Sequence, residues 1–120
     1  MPTMKSPADK ADEFWALHQH EDAFVIPNPW DAGSARMLAG MGFKALATSS
    51  AASAGTLGRQ DYELKRDEAL SMARQIVEAV DVPVSADLEN GFGDSPEERK
   101  SLPDRILHYS FSNRRRDNHV

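Results

Sequence analysis

Val84-Ser85-Ala86-Asp87-Leu88-Glu89-Asn90-Gly91-Phe92-Gly93 opens as an apolar run and ends in acids and glycines. Residues i and i+2 of a strand face the same way, so an extended chain here would carry Asp87 and Glu89 on one side and Leu88 behind them. Two carboxylates at a strand end form an oxygen-only ligand set, of the kind that favours Mg²⁺ or Mn²⁺. A lone Asp-x-Glu also reads as a polar strand end closed by a turn. The rest of the chain has to decide between the two.

Outward from that strand, the elements alternate. Leu70, Ala73, Ile76, Val77 and Val80 follow helical spacing behind Asp67, which predicts a helix leading into a strand over 82–86. Before it, Phe43 to Thr48 reads as a strand. The small residues Ser49-Ser50-Ala51-Ala52-Ser53-Ala54-Gly55 then read either as a loop whose N–H groups cradle an anion or as a flexible linker. Asp31 or Ser34 caps a helix through about Met41, with Gly42 as its stop. Phe24-Val25-Ile26 reads as a short first strand, halted by Pro27 and Pro29, which cannot donate to a ladder. Pro7 and Asp9 open a helix to about His18, with Ala11, Phe14, Trp15 and Leu17 as its inward stripe. Met37, Met41 and Met72 read as core filler.

The expected class is α/β: the N-terminal portion, about three β-α units, of a (β/α)₈ barrel with parallel strands. In such folds, sites gather at the carboxyl ends of the strands. The loops 28–31, 49–61 and 87–93 would then lie side by side.

Composition narrows the function. The 120 residues contain no cysteine, which removes disulfides and thiolate chemistry. No apolar run reaches the roughly 20 residues that span a bilayer, and the polar start lacks a signal-peptide core, so a cytoplasmic protein is expected. The net charge of −5 divides unevenly, into −9 over residues 1–98 and +4 over 99–120. An acidic body argues against nucleic acid as a partner. His18 and His20 sit at the first helix end, where they read as terminus charge rather than catalytic groups, and His108 and His119 have no partner spacing for a metal.

Four stretches together carry a family resemblance: Phe24-Val-Ile-Pro-Asn-Pro-Trp-Asp-Ala-Gly-Ser-Ala-Arg36, Ala47-Thr-Ser-Ser-Ala51, Leu57-Gly-Arg-Gln-Asp61 and Ala86-Asp-Leu-Glu-Asn-Gly-Phe-Gly93. In their order and spacing they resemble the isocitrate lyase and phosphoenolpyruvate mutase family. Glu89 stands where many members have Asp, a feature of a 2-methylisocitrate lyase-like bacterial branch, and Gln60 replaces the usual proline. The resemblance implies a barrel enzyme that uses Mg²⁺, with Mn²⁺ as substitute. Such enzymes act on C–C or P–C bonds of small 2-oxo or 2-hydroxy carboxylic acids through a pyruvate enolate. It further implies Asp87 as direct metal ligand and Glu89 and Asp61 as holders of metal-bound water. Ser49, Ser50 and Ala51 would be donors to the substrate carboxylate, with Trp30 and Asp31 at the pocket mouth. A homo-oligomer is the implied assembly.

The motifs end near Glu98. A barrel of this kind takes about 250 residues, and Arg99 to Val120 reads as an aberrant basic tail without helical stripe, expected to be disordered. The reading is therefore of an N-terminal barrel part over 1–98 followed by a tail over 99–120, truncated and inactive as it stands. Exposed Val25, Ala47 and Val84 would be the physical cost. The alternatives are a non-enzymatic remnant or a module that uses Arg114-Arg115-Arg116 to meet an acidic partner.

Overall fold

A computed structural model describes residues 4–99, and the expected tail over 99–120 lies almost wholly outside them. Helix α1 (Pro7–His18) starts where the Ser6 hydroxyl accepts the Asp9 N–H at 3.1 Å, with proline in the first turn. Helix α2 (Ala32–Gly40) is capped by Asp31, and Gly42 follows its end at φ +99°, a left-handed angle that glycine adopts without a Cβ clash. Strand β1 (Leu46–Ala47), α3 (Ser50–Thr56), α4 (Arg66–Ala79), β2 (Val84–Ser85) and α5 (Pro96–Arg99) complete the order.

The sheet is parallel, with Leu46 opposite Val84 and Ala47 opposite Ser85. The expected α/β class with parallel strands is thus the observed one. Two β-α readings differ from it in detail. Residues 24–26 form no regular strand, and their contribution to pairing is a single bond next to them, from the Ala47 N–H to the Pro27 carbonyl at 3.0 Å. Prolines at 27 and 29 remove the donors that would extend it. The small-residue run is neither loop nor linker, because the Ser49 hydroxyl accepts the Ala52 N–H and starts α3, which buries Ser50, Ser53 and Ala54.

The core gathers beneath the strand pair: Ala35 from α2, Leu46 from β1, Ile76 from α4, Val80, and Val84 from β2. Val84 is buried, contrary to the expectation that it would meet water, because α2 and α4 pack together over it. Val25 does lie exposed. Helix α4 buries Ala69, Ala73 and Ile76, in line with its periodicity.

Helix α1 departs from its expected packing. It buries no residue, and Trp15 is 69% exposed. Polar contacts hold it: Lys10 Nζ donates to the Val80 carbonyl at 2.8 Å, and the Lys5 N–H to Asp81 at 2.7 Å. These place α1 at the amino end of β2. Met37 and Met41, each 72% exposed, are not core either; they lie on the outer face of α2. Met72 alone of the three packs inward, against Ala54, Leu64 and Ala69.

Candidate functional site

The site forms where both strands end. Asp87 follows β2 by two residues, and its carboxylate is held from three directions. The Ser50 N–H and hydroxyl donate to Oδ2 at 3.2 and 3.0 Å, and the Glu89 N–H donates to Oδ1 at 3.0 Å. The donors of the small-residue run therefore do take an anion, and that anion is the chain's own carboxylate. Three donors on two oxygens fix the orientation of the Asp87 side chain.

Glu89 reaches the same region by a different route from the expected one. Strand alternation has ended by then: Glu89 has φ +54°, and the Gly91 N–H closes a turn on the Leu88 carbonyl at 2.8 Å. Leu88 is buried with Ala73 and Ala86, which anchors the turn. Desolvation pushes the Glu89 carboxyl above the usual range, and the negative charges of Asp87 and Asp61 push it further; the Ser50 hydroxyl acts in the opposite sense. Glu89 Oε1 is buried with no hydrogen-bond partner.

Asp61 is exposed and accepts the Tyr62 N–H at 2.9 Å. Its loop is tied to α4 by Arg59, whose Nη1 donates to both Glu68 oxygens at 2.7 and 2.6 Å. Tyr62, Glu89 and Phe92 are the non-glycine residues at positive φ among those described: Glu89 is itself a site acid, Tyr62 follows Asp61, and Phe92 lies three residues beyond Glu89. Residues held in this region cost of order 1–3 kcal/mol each and concentrate at functional sites.

The other expected residues divide. Asn28 joins the first loop to β1 by donating from Nδ2 to the Ala47 carbonyl at 2.8 Å. Asp31 serves α2: its Oδ1 accepts the Ser34 N–H and hydroxyl, both at 2.8 Å, which holds the carboxyl below its usual range. Trp30 is exposed, with its N–H on Ser34. Neither is bonded to Asp87 or Glu89. Ser49 is occupied as the cap of α3, and Ala51 is exposed beside it. Two residues escaped the sequence reading, Asn28 as a tie and Thr48, whose hydroxyl accepts the Asp87 N–H at 2.8 Å.

These residues fit a hard divalent cation. A Glu89 carboxyl raised by burial and by its acidic neighbours, with a buried oxygen left unpartnered, is an arrangement that a positive charge relieves. Among the described residues, no group of three or more His, Asp or Glu side chains stands close enough to enclose an ion. Mg²⁺ needs no such cage, since it keeps several waters and binds through one or two carboxylates.

The parallel strand pair, with Asp87 and Glu89 beyond the end of β2, defines an α/β chain with an acidic strand-end site. Residues 14–110 match the family model for phosphoenolpyruvate phosphomutase, and the chain belongs to the phosphoenolpyruvate mutase/isocitrate lyase family. The match runs past Glu98, near which the sequence resemblance is expected to end. The chain is 33% identical over 90 residues to a 2-methylisocitrate lyase of Halalkalibacterium halodurans, which covers 74% of this chain and 30% of that one. A Burkholderia cenocepacia J2315 structure, described provisionally as a lyase/mutase, is 53% identical over 78% of this chain and 34% of its own, with TM-score 0.76. The structure of 2,3-dimethylmalate lyase, a member of the same superfamily, is 28% identical over 70% of this chain and 31% of its own, with TM-score 0.63. The chain spans about a third of the length of the curated relatives it matches. Among the described residues, no helix is long and apolar enough to cross a membrane.

Proposed function

We propose that this chain forms the metal- and carboxylate-binding part of a lyase or mutase that acts on C–C or P–C bonds of small 2-oxo or 2-hydroxy acids. The observation that carries the reading is the pinning of Asp87 by Ser50 beside an unpartnered, buried Glu89 oxygen. Asp87 would hold Mg²⁺ directly, with Glu89 and Asp61 on its waters. The ion, when bound, supplies Lewis-acid stabilisation of negative charge developing on a substrate oxygen. Ser50 keeps the Asp87 side chain aimed, and Asp61 adds a carboxylate from the neighbouring loop. Ala51, exposed beside Ser50, offers its N–H to a substrate carboxylate, while Ser49 shapes that segment by capping it. Trp30 and Asp31 would border the entrance from the first loop.

The two named relatives act, by name, on 2-methylisocitrate and 2,3-dimethylmalate, both substituted hydroxy acids, which supports a substrate of that kind. Turnover also requires a positioned proton donor or acceptor. Among the described residues, the Ser50 hydroxyl is already engaged with Asp87, so the part played here is read as binding rather than proton transfer. Water-proton relaxation with Mn²⁺ tests the reading. Saturable binding that oxalate strengthens and Asp87→Ala removes is expected, and Mn²⁺ binding that is absent or indifferent to Asp87→Ala would contradict it.

A further inference from the structure

Resting on the metal reading above and deepening it, we propose that Thr48 is a positioning residue for Asp87. Thr48 is buried and grips the end of β2 at two points on either side of Ala86. Its own N–H donates to the Ser85 carbonyl at 2.8 Å, and its Oγ1 accepts the Asp87 N–H at 2.8 Å. The first bond continues the ladder that began with the Leu46 N–H on the Pro83 carbonyl. The second replaces a backbone rung by a side chain.

That replacement has a consequence at the site. A hydroxyl takes the Asp87 amide, so the β1 backbone is released to turn into the Ser49 cap and deliver Ser50 to the Asp87 carboxylate. Thr48 thus sets the Asp87 main chain while Ser50, two residues on, sets its side chain. Threonine suits the task, because its β-branch restricts χ1 and holds the hydroxyl toward the amide. The contact is of the outer-shell kind that orients a ligand group without touching the ion.

The test uses the full 120-residue chain and Mn²⁺ alone as probe, with amide hydrogen exchange at Asp87 as an independent readout. Thr48→Val keeps the shape and removes the acceptor. It should speed exchange of the Asp87 amide and weaken Mn²⁺ by about 10–100-fold, the usual cost of losing an outer-shell partner. Thr48→Ser should restore both, and Thr48→Ala serves in place of valine if that variant does not fold. Val80→Ala, a core change away from the strand ends, should lower the Tm and leave Mn²⁺ affinity unchanged. Wild-type affinity in Thr48→Val, or a loss no larger than in Val80→Ala at equal Tm, overturns the proposal. Unaltered Asp87 exchange in Thr48→Val overturns it as well. A wild-type chain that binds no Mn²⁺ instead fails the metal reading itself, and the two failures are distinguished.

Discussion

Beneath the strands, Ala35, Leu46, Ile76, Val80 and Val84 make an interior of interchangeable apolar groups; at the strand ends, Thr48, Ser50, Asp87 and Glu89 make one in which each polar atom has an assigned partner or conspicuously lacks one. The lower region supplies stability through area removed from water. The upper region spends some of it on repelling carboxylates and left-handed backbone. A chain selected for folding alone has no reason to keep the second arrangement, and the contrast itself points to ligand binding.

The comparison breaks most readily from below. Ile76→Ala removes a fully buried side chain and should cost about 2–5 kcal/mol, a large share of the about 5–15 kcal/mol available to a domain. A circular-dichroism melt should show loss of the cooperative transition or a sharply lowered Tm. Above, Ser50→Ala removes one hydroxyl bond to a carboxylate and should cost about 1.5–3 kcal/mol, with a fall in Mn²⁺ affinity that Ile76→Ala does not produce where it remains folded. Denaturant titration and relaxation enhancement check the two halves of that expectation.

Glu89→Gln sharpens the contrast by pH. Burial and its acidic neighbours raise the native carboxyl above its unfolded value, so the native state favours the protonated form. Stability without metal is then greatest below the ordinary carboxylate pKa and declines as pH rises through the raised one. Melts between about pH 4 and about 8, around the ordinary Glu value, should show that decline in the wild type and its absence in Glu89→Gln, which melts higher at neutral pH. Added Mg²⁺ should oppose the decline in the wild type. The smallest effect is at Asp31, whose native carboxyl is held low by the Ser34 N–H and hydroxyl. Its contribution is present above the ordinary Asp pKa and lost as pH falls through the lowered one. Asp31→Ala should lower the Tm slightly, Asp31→Asn should restore it, and neither should change Mn²⁺ binding.

Local chemistry was legible in the sequence. The cap at Asp31, the stop at Gly42 and the stripe of α4 all follow from residues within a turn of one another. The acids were legible as a pair, but not the means of pairing, since a turn at Leu88–Gly91 replaces strand alternation at Glu89. Ser49 to Gly55 misled because small residues suit a loop and a closely packed helix equally; the Ser49 cap decides for the helix. The inward stripe assigned to α1 assumed a partner for Trp15, whereas that helix is held by lysines. Thr48 gave no signal, because its role depends on an amide 39 residues away. Long-range pairs of that kind become visible only when the strands are placed in register.

The most direct test of the central claim is a thermal melt of the purified 120-residue chain followed by circular dichroism, with and without millimolar Mg²⁺ and oxalate, a planar analogue of the pyruvate enolate. Ligands that bind the native state raise its Tm, so a cooperative transition that rises with the pair, and rises less in Asp87→Ala, is the expected result. A transition indifferent to both, or one that rises equally in Asp87→Ala, would contradict the assignment of the strand-end acids as a metal and carboxylate site.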